Sequence, residues 1–174
     1  MEAAPGLCYG PGGVGARYQF TDTWSVDHPL EVVWQVVDDV ASWPSWWPDY
    51  RRVERVSATE HGVGVRWRAG VRSNLPYTVD FTFTVLEHEP PRYVRTRVEG
   101  FFTGEIDWRL EPAGDGTRLV LHEETETTWP LINLVARLGG RRFLEANHAA
   151  AMRRGERGMR TFLAPRARPP GRAR

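Results

Sequence analysis

Between Tyr77 and Val85 the side chains alternate without a break: Tyr77, Val79, Phe81, Phe83 and Val85 on one side, Thr78, Asp80, Thr82 and Thr84 on the other. A period of two sends successive side chains to opposite faces of an extended chain, so this segment reads as a strand with one dry and one wet face. The same alternation recurs on both sides of it. Tyr18, Phe20, Trp24 and Val26 alternate with Gln19, Thr21, Thr23 and Ser25, and Asp22 is the one misfit on the bulky face. Val53 and Val56 mark a short strand, and Val63, Val65, Trp67, Ala69 and Val71 alternate with Gly64, Arg66, Arg68 and Gly70. Tyr93 to Val98, Phe102 to Leu110 and Arg118 to Thr127 continue the pattern. The connections SNLP, EHEPPR and EPAGDGT are short and turn-forming, so about seven strands are expected in an antiparallel meander.

The wet face of such a sheet accounts for many charges without any chemistry. Arg95 and Arg97 fall across from Glu105, Asp107 and Arg109, with His122, Glu124 and Glu126 further along. Cross-strand pairs of this kind contribute a few tenths of a kcal/mol each.

Two helical segments interrupt or follow the strands. Asp27-His28-Pro29 reads as a helix start, with Asp27 as cap and proline in the first turn, and the helix runs from Leu30 to about Val40 with Val33, Trp34, Val36 and Val37 inward. Directly after it, ASWPSWWPDY packs three tryptophans and two prolines into ten residues. Pro44 and Pro48 prevent a long helix, so this is a short helical turn serving as a rigid apolar cover. Beyond Trp129-Pro130, Leu131, Leu134, Val135 and Leu138 form an apolar stripe that Gly139-Gly140 interrupts. It resumes through Leu144, His148, Met152, Gly155, Met159 and Phe162, a second helix that must lie against the dry face.

All 23 basic residues are arginine, and 11 of them fall between Arg137 and Arg174, against Glu145 and Glu156. The basic C-terminal segment is either the solvated face of a helix with a frayed tail, or a contact for anionic lipid or an acidic partner. No aromatic residue is interleaved in the tail RARPPGRAR, so no nucleic-acid partner is expected. Residues 1–16 read as a disordered lead-in, 17–163 as one α+β domain, and 164–174 as a basic disordered tail. The N-terminus lacks the flanks of a signal peptide, and a cytoplasmic location is expected.

Several chemistries are excluded by what is missing. Without lysine there is neither a P-loop nor a Schiff base. One cysteine and five histidines without ligand spacing give no metal site, and no motif calls for a cofactor. The dry face nevertheless carries polar candidates. Trp67, Tyr77 and Trp108 face inward, Glu123 continues the phase of Leu119 and Leu121, and the C-terminal helix brings Asn147 and His148. A bulge would exchange Glu123 for Glu124. A carboxylate or imidazole in an apolar pocket is a candidate acid or base, and a lone helix histidine is as readily a hydrogen-bonded core residue.

The order of elements, with WPSWWP after the first helix, LPYTVDF in the sheet and FLEANHAAAMRRGERGM in the last helix, resembles the START-like helix-grip superfamily (SRPBCC). Within it the chain is similar to the bacterial polyketide cyclase/dehydrase and lipid-transport branch. The resemblance implies a curved sheet around a long C-terminal helix, with an apolar ligand cavity between them and the tryptophan turn at its rim. It also implies a helix-borne Asn-His pair near that cavity, matched here at Asn147 and His148.

Two functions follow as expectations. One is binding of a lipid or an aromatic, polyketide-like metabolite by Trp47, Trp67, Tyr77, Phe81, Phe83, Trp108, Asn147, His148 and Met152. The other is an aromatase/cyclase activity in which His148, with Glu123 or Tyr77, moves protons during aldol closure and dehydration. Arg66, Arg68 and Arg72 have the phase of the wet face, which counts against a place in the cavity.

Overall fold

A computed structural model describes residues 16–74, 77–127 and 140–164. The lead-in, the Leu131–Leu138 stripe and the arginine tail lie outside the described residues. Seven strands form one antiparallel sheet: β1 (Ala16–Val26), β2 (Tyr50–Arg55), β3 (Arg66–Val71), β4 (Val79–Glu89), β5 (Tyr93–Gly100), β6 (Thr103–Ala113) and β7 (Gly116–Thr127). Their spatial order is β1-β7-β6-β5-β4-β3-β2, so β2 to β7 are a meander and β1 closes onto β7. Helix α1 (Leu30–Asp38), a 3₁₀ turn (Val40–Ser42) and the single-turn α2 (Trp43–Trp46) join β1 to β2, and the long α3 (Arg141–Leu163) follows the sheet. This is the helix-grip arrangement.

Alternation sets the faces as the pattern requires. On β1, Tyr18, Trp24 and Val26 are buried while Arg17, Thr21, Thr23 and Ser25 are exposed. On β7, Thr117, Leu119, Leu121, Thr125 and Thr127 are buried, and Glu123 shares their face. The wet face carries the expected pairs: Arg95 lies opposite Asp107 and Arg97 opposite Glu105. Arg95 reaches both Glu87 and Glu105, and Arg66 lies 3.5 Å from Glu99, outside the core.

Three local expectations are corrected. Asp27 makes no cap: α1 begins at Leu30 with Pro29 in the capping position and no side-chain hydrogen bond there. The His28 carbonyl is instead taken by the Thr117 hydroxyl at 2.8 Å, which ties the helix entrance to β7. Tyr77 is outside the sheet, because β4 starts only at Val79; its ring is 41% exposed and sits against Phe101. Phe162 is also exposed, and Leu163 takes the place against the core.

The tryptophan turn is the densest part of that core. Trp43, Trp46 and Trp47 are all buried, with Trp24, Trp108, Phe83 and Tyr50 around them. Each buried ring removes roughly 150–250 Å² from water, an upper estimate of about 4–6 kcal/mol per ring. The turn reaches α3 through two glycines. A Cβ on Gly155 would come within 2.6 Å of the Trp47 ring, and one on Gly158 would overlap the Trp46 carbonyl oxygen. Only a missing side chain lets helix and turn approach so closely.

Candidate functional site

Between the inner face of the sheet and α3 lies a cavity of about 890 Å³. Its walls are mainly rings and aliphatic chains, among them Trp43, Trp47, Trp67, Phe81, Phe83 and Trp108, with Met152 from the helix. These come from the inward positions of β3, β4 and β6, from α2 with the residue after it, and from α3. The apolar candidates named from sequence thus meet in one wall, except Tyr77, which does not line the cavity. Trp47 lines it but is 3% exposed, and its indole N–H donates to the Ala151 carbonyl at 3.2 Å. It is more a strut between turn and helix than a mobile rim.

The polar part of the wall forms where β1 and β7 face α3. Phe20 and Glu123 are register partners on these strands, and Asp22 is two residues further along the same face of β1. His148 projects from α3 onto them. Its Nε2 donates to the Asp22 carboxylate at 2.7 Å, and its Nδ1 lies 3.9 Å from Glu123 Oε2. The Phe20 ring stacks on the imidazole at 3.9 Å. Glu123 also accepts the Thr125 hydroxyl at 2.9 Å through Oε1. Burial by itself would push the His148 pKa down, but the hydrogen bond to Asp22 and the charges of Glu123 and Asp22 outweigh it, and the pKa is raised. The imidazolium is therefore favoured more than in a free histidine.

Asn147 does something different from its neighbour. Its Oδ1 accepts the Asn74 backbone N–H at 3.0 Å, which pins the β3–β4 connection to the helix beside the cavity.

Sequence reasoning missed several polar wall residues. Tyr50, the last residue of ASWPSWWPDY, lines the cavity, and burial followed by the charges of Glu123 and Asp49 pushes its phenol up, so it stays a neutral donor. Asp49 beside it accepts from Arg154 Nε at 2.9 Å and Nη2 at 2.6 Å, while Nη2 also bonds the Ser73 hydroxyl at 2.6 Å. His88 lies 2.7 Å from Asp38 on another part of the wall. The only sequence signal for this chemistry was Asp22, a carboxylate on a bulky face; the other partners lie at positions without periodic character.

The outer side of α3 exposes Arg142, Arg153, Arg157 and Arg160, of which Arg160 bonds Glu156 at 2.8 Å. Among the described residues no helix is long and apolar enough to cross a membrane.

Comparison with known proteins agrees with this architecture. The family described as polyketide cyclase/dehydrase and lipid transport matches residues 26–152. Among solved structures, the Zhui aromatase/cyclase of Streptomyces sp. R1128 superposes with a TM-score of 0.69 at 22% identity, covering 89% of this chain and 98% of that one. A protein of Thermus thermophilus gives 0.69 at 20% identity, covering 84% and 100%. A START superfamily protein of Mycobacterium smegmatis gives 0.56 at 16% identity, covering 78% and 97%. No curated protein matches the sequence. At these identities the solved structures show the shared fold.

Proposed function

This chain belongs to the polyketide cyclase/dehydrase and lipid transport family, and from that premise we propose that it binds a lipid or an aromatic, polyketide-like metabolite between sheet and α3. The observation that carries this reading is the cavity itself. At about 890 Å³, walled by tryptophan, phenylalanine and aliphatic side chains, it has the size and chemistry of a small-molecule site. Polar groups interrupt that wall at separate places, His148 with Glu123 on one part and His88 with Asp38 on another, and offer an apolar ligand orienting contacts. Native mass spectrometry of gently purified protein, followed by extraction, tests this. A co-purified apolar molecule that is unchanged on incubation supports binding, and conversion of that molecule on incubation contradicts simple carriage.

The cluster of Asp22, His148 and Glu123 favours a second reading, intramolecular aldol cyclisation and dehydration. Glu123 is the candidate base for an acidic methylene proton, and the His148 imidazolium the candidate acid toward the accepting carbonyl oxygen, while the cavity holds the chain folded. Tyr77, outside the lining and set against Phe101, is given no role in it. Under this reading His148→Ala abolishes turnover of a poly-β-ketone surrogate and weakens its binding only modestly; under the first there is no turnover to lose.

The exposed arginines of α3 support weak contact with anionic lipid or an acidic partner. Flotation with anionic and neutral vesicles at low and high salt checks it: the contact requires binding to the anionic vesicles alone, lost at high salt.

A further inference from the structure

Most polar groups around the cavity are already committed. Asp49 uses both oxygens on Arg154, Asp38 meets His88, and Asn147 Oδ1 holds the Asn74 N–H. Among the described lining residues the one arginine, Arg55, lies 3.9 Å from Glu60. Where β1 and β7 face α3, one pair of lining atoms, His148 Nδ1 and Glu123 Oε2, stands 3.9 Å apart. That is too long for a direct hydrogen bond, but an oxygen placed about 2.8 Å from each bridges it.

The chemistry of the two atoms restricts what can sit there. With Nε2 donating to Asp22, the ring in its protonated form presents Nδ1–H as a second donor, while the Glu123 carboxylate only accepts. A bridging group must therefore accept from one side and donate to the other. A hydroxyl does both. A carbonyl accepts only and leaves Glu123 facing a lone pair. A carboxylate brings a third anion beside Asp22 and Glu123, with one imidazolium between them, and the arginine among the described lining residues, Arg55, is paired with Glu60. An ammonium donates to Glu123 but meets the imidazolium. Phe20, stacked on the imidazole, and the ring-lined wall beyond it leave the rest of the ligand apolar.

The geometry points to an apolar ligand that presents one uncharged hydroxyl, phenolic or alcoholic, to the gap between His148 and Glu123, and to discrimination against carboxylates of the same skeleton. This rests on the cavity-binding reading and narrows its ligand class. The raised pKa of His148 agrees with it, because the bridging arrangement needs the doubly protonated ring.

Three probes of one skeleton separate the possibilities: pyrene, 1-hydroxypyrene and pyrene-1-carboxylate, titrated calorimetrically at pH 7 into the full chain. The expected order is 1-hydroxypyrene tightest, by about tenfold or more over pyrene for a hydrogen bond to charged groups, and the carboxylate weakest. In Glu123→Gln, which keeps the shape, 1-hydroxypyrene loses most of its advantage and the carboxylate gains. A carboxylate that binds the wild type as tightly as 1-hydroxypyrene overturns the hydroxyl assignment and leaves the binding reading standing. An unchanged ranking in folded Glu123→Gln also overturns it; if that variant does not fold by circular dichroism, the wild-type ranking decides. If none of the three binds, the cavity reading itself fails and the hydroxyl assignment with it.

Discussion

The two halves of α3 are built for opposite tasks. Toward its C-terminal end, Gly155 and Gly158 have no side chain, and the helix backbone presses onto Trp46 and Trp47 with no room for a methyl group. Toward its N-terminal end, Asn147 and His148 extend polar atoms to a loop, a carboxylate and the cavity. One half removes freedom; the other holds unlike groups in a partly buried setting. Close packing is the economical solution where the helix only has to stay in place. A paired imidazole beside a second carboxylate has no such justification from stability, since buried ionic groups seldom outdo apolar ones of the same shape. On the binding reading proposed above, the tryptophan end serves structure and the β1–β7 end ligand recognition.

The comparison can be broken most forcefully at the ion pair between the two halves. Arg154→Ala leaves Asp49, 2% exposed, without its partner, and a stability loss of about 3 kcal/mol or more is expected by denaturant unfolding. A loss below about 1 kcal/mol, the range of a surface pair, would mean that the contact behaves as an exposed one. Next in size is Gly158→Ala. Alanine is the better helix former by about 1 kcal/mol, so a net loss, expected at about 1–3 kcal/mol or roughly 2–4 °C in Tm per kcal/mol, isolates the clash with the Trp46 carbonyl. A stabilised variant would show that helix and turn are not in tight contact.

At the other end the effects on stability are smaller and depend on pH. The His148 pKa is raised in the folded state, so its contribution is fully present below the unfolded value of about 6.5 and is lost as pH rises through the folded value. Thermal unfolding of wild type should therefore lose stability between mildly acidic and mildly alkaline pH, relative to His148→Gln. Parallel pH profiles for the two proteins would remove the imidazolium from the account. The smallest shift belongs to Glu123→Gln, which keeps the shape but gives up the charge beside His148: a stability loss of at most about 1 kcal/mol, with the altered ligand ranking described above. A large stability loss there would make Glu123 a structural residue and erase the contrast.

The sheet was legible because a half-buried strand writes its burial into every second residue. The same phase that placed Leu119 and Leu121 inward carried Glu123 with them, and no bulge intervened. Asp22 stood out for the same reason, as a charge on a bulky face, but its meaning depended on His148, 126 residues later in the chain. Asp49 and Arg154 are separated by 105 positions and belong to a nonperiodic turn and a helix flank, so neither announces the other. Tyr50 looked like the end of a connection, yet β2 starts there and turns its ring to the cavity. Tyr77 failed in the opposite sense: alternation extended one step past the true start of β4, and a residue before a strand has no obligation to follow its faces. The close approach at Gly158 left no periodic trace at all, because a glycine records a contact only through what it lacks.

The central claim is that apolar molecules bind inside the cavity. Filling that cavity tests it most directly. Ile106 lines the wall and is paired across β6 and β7 with Glu123, so Ile106→Trp puts a ring into the space beside the polar gap. With calorimetric titration of 1-hydroxypyrene into folded wild type and variant, the account predicts binding to the wild type and its loss, by at least about tenfold, in Ile106→Trp. Equal binding to both proteins would place the ligand elsewhere and contradict it.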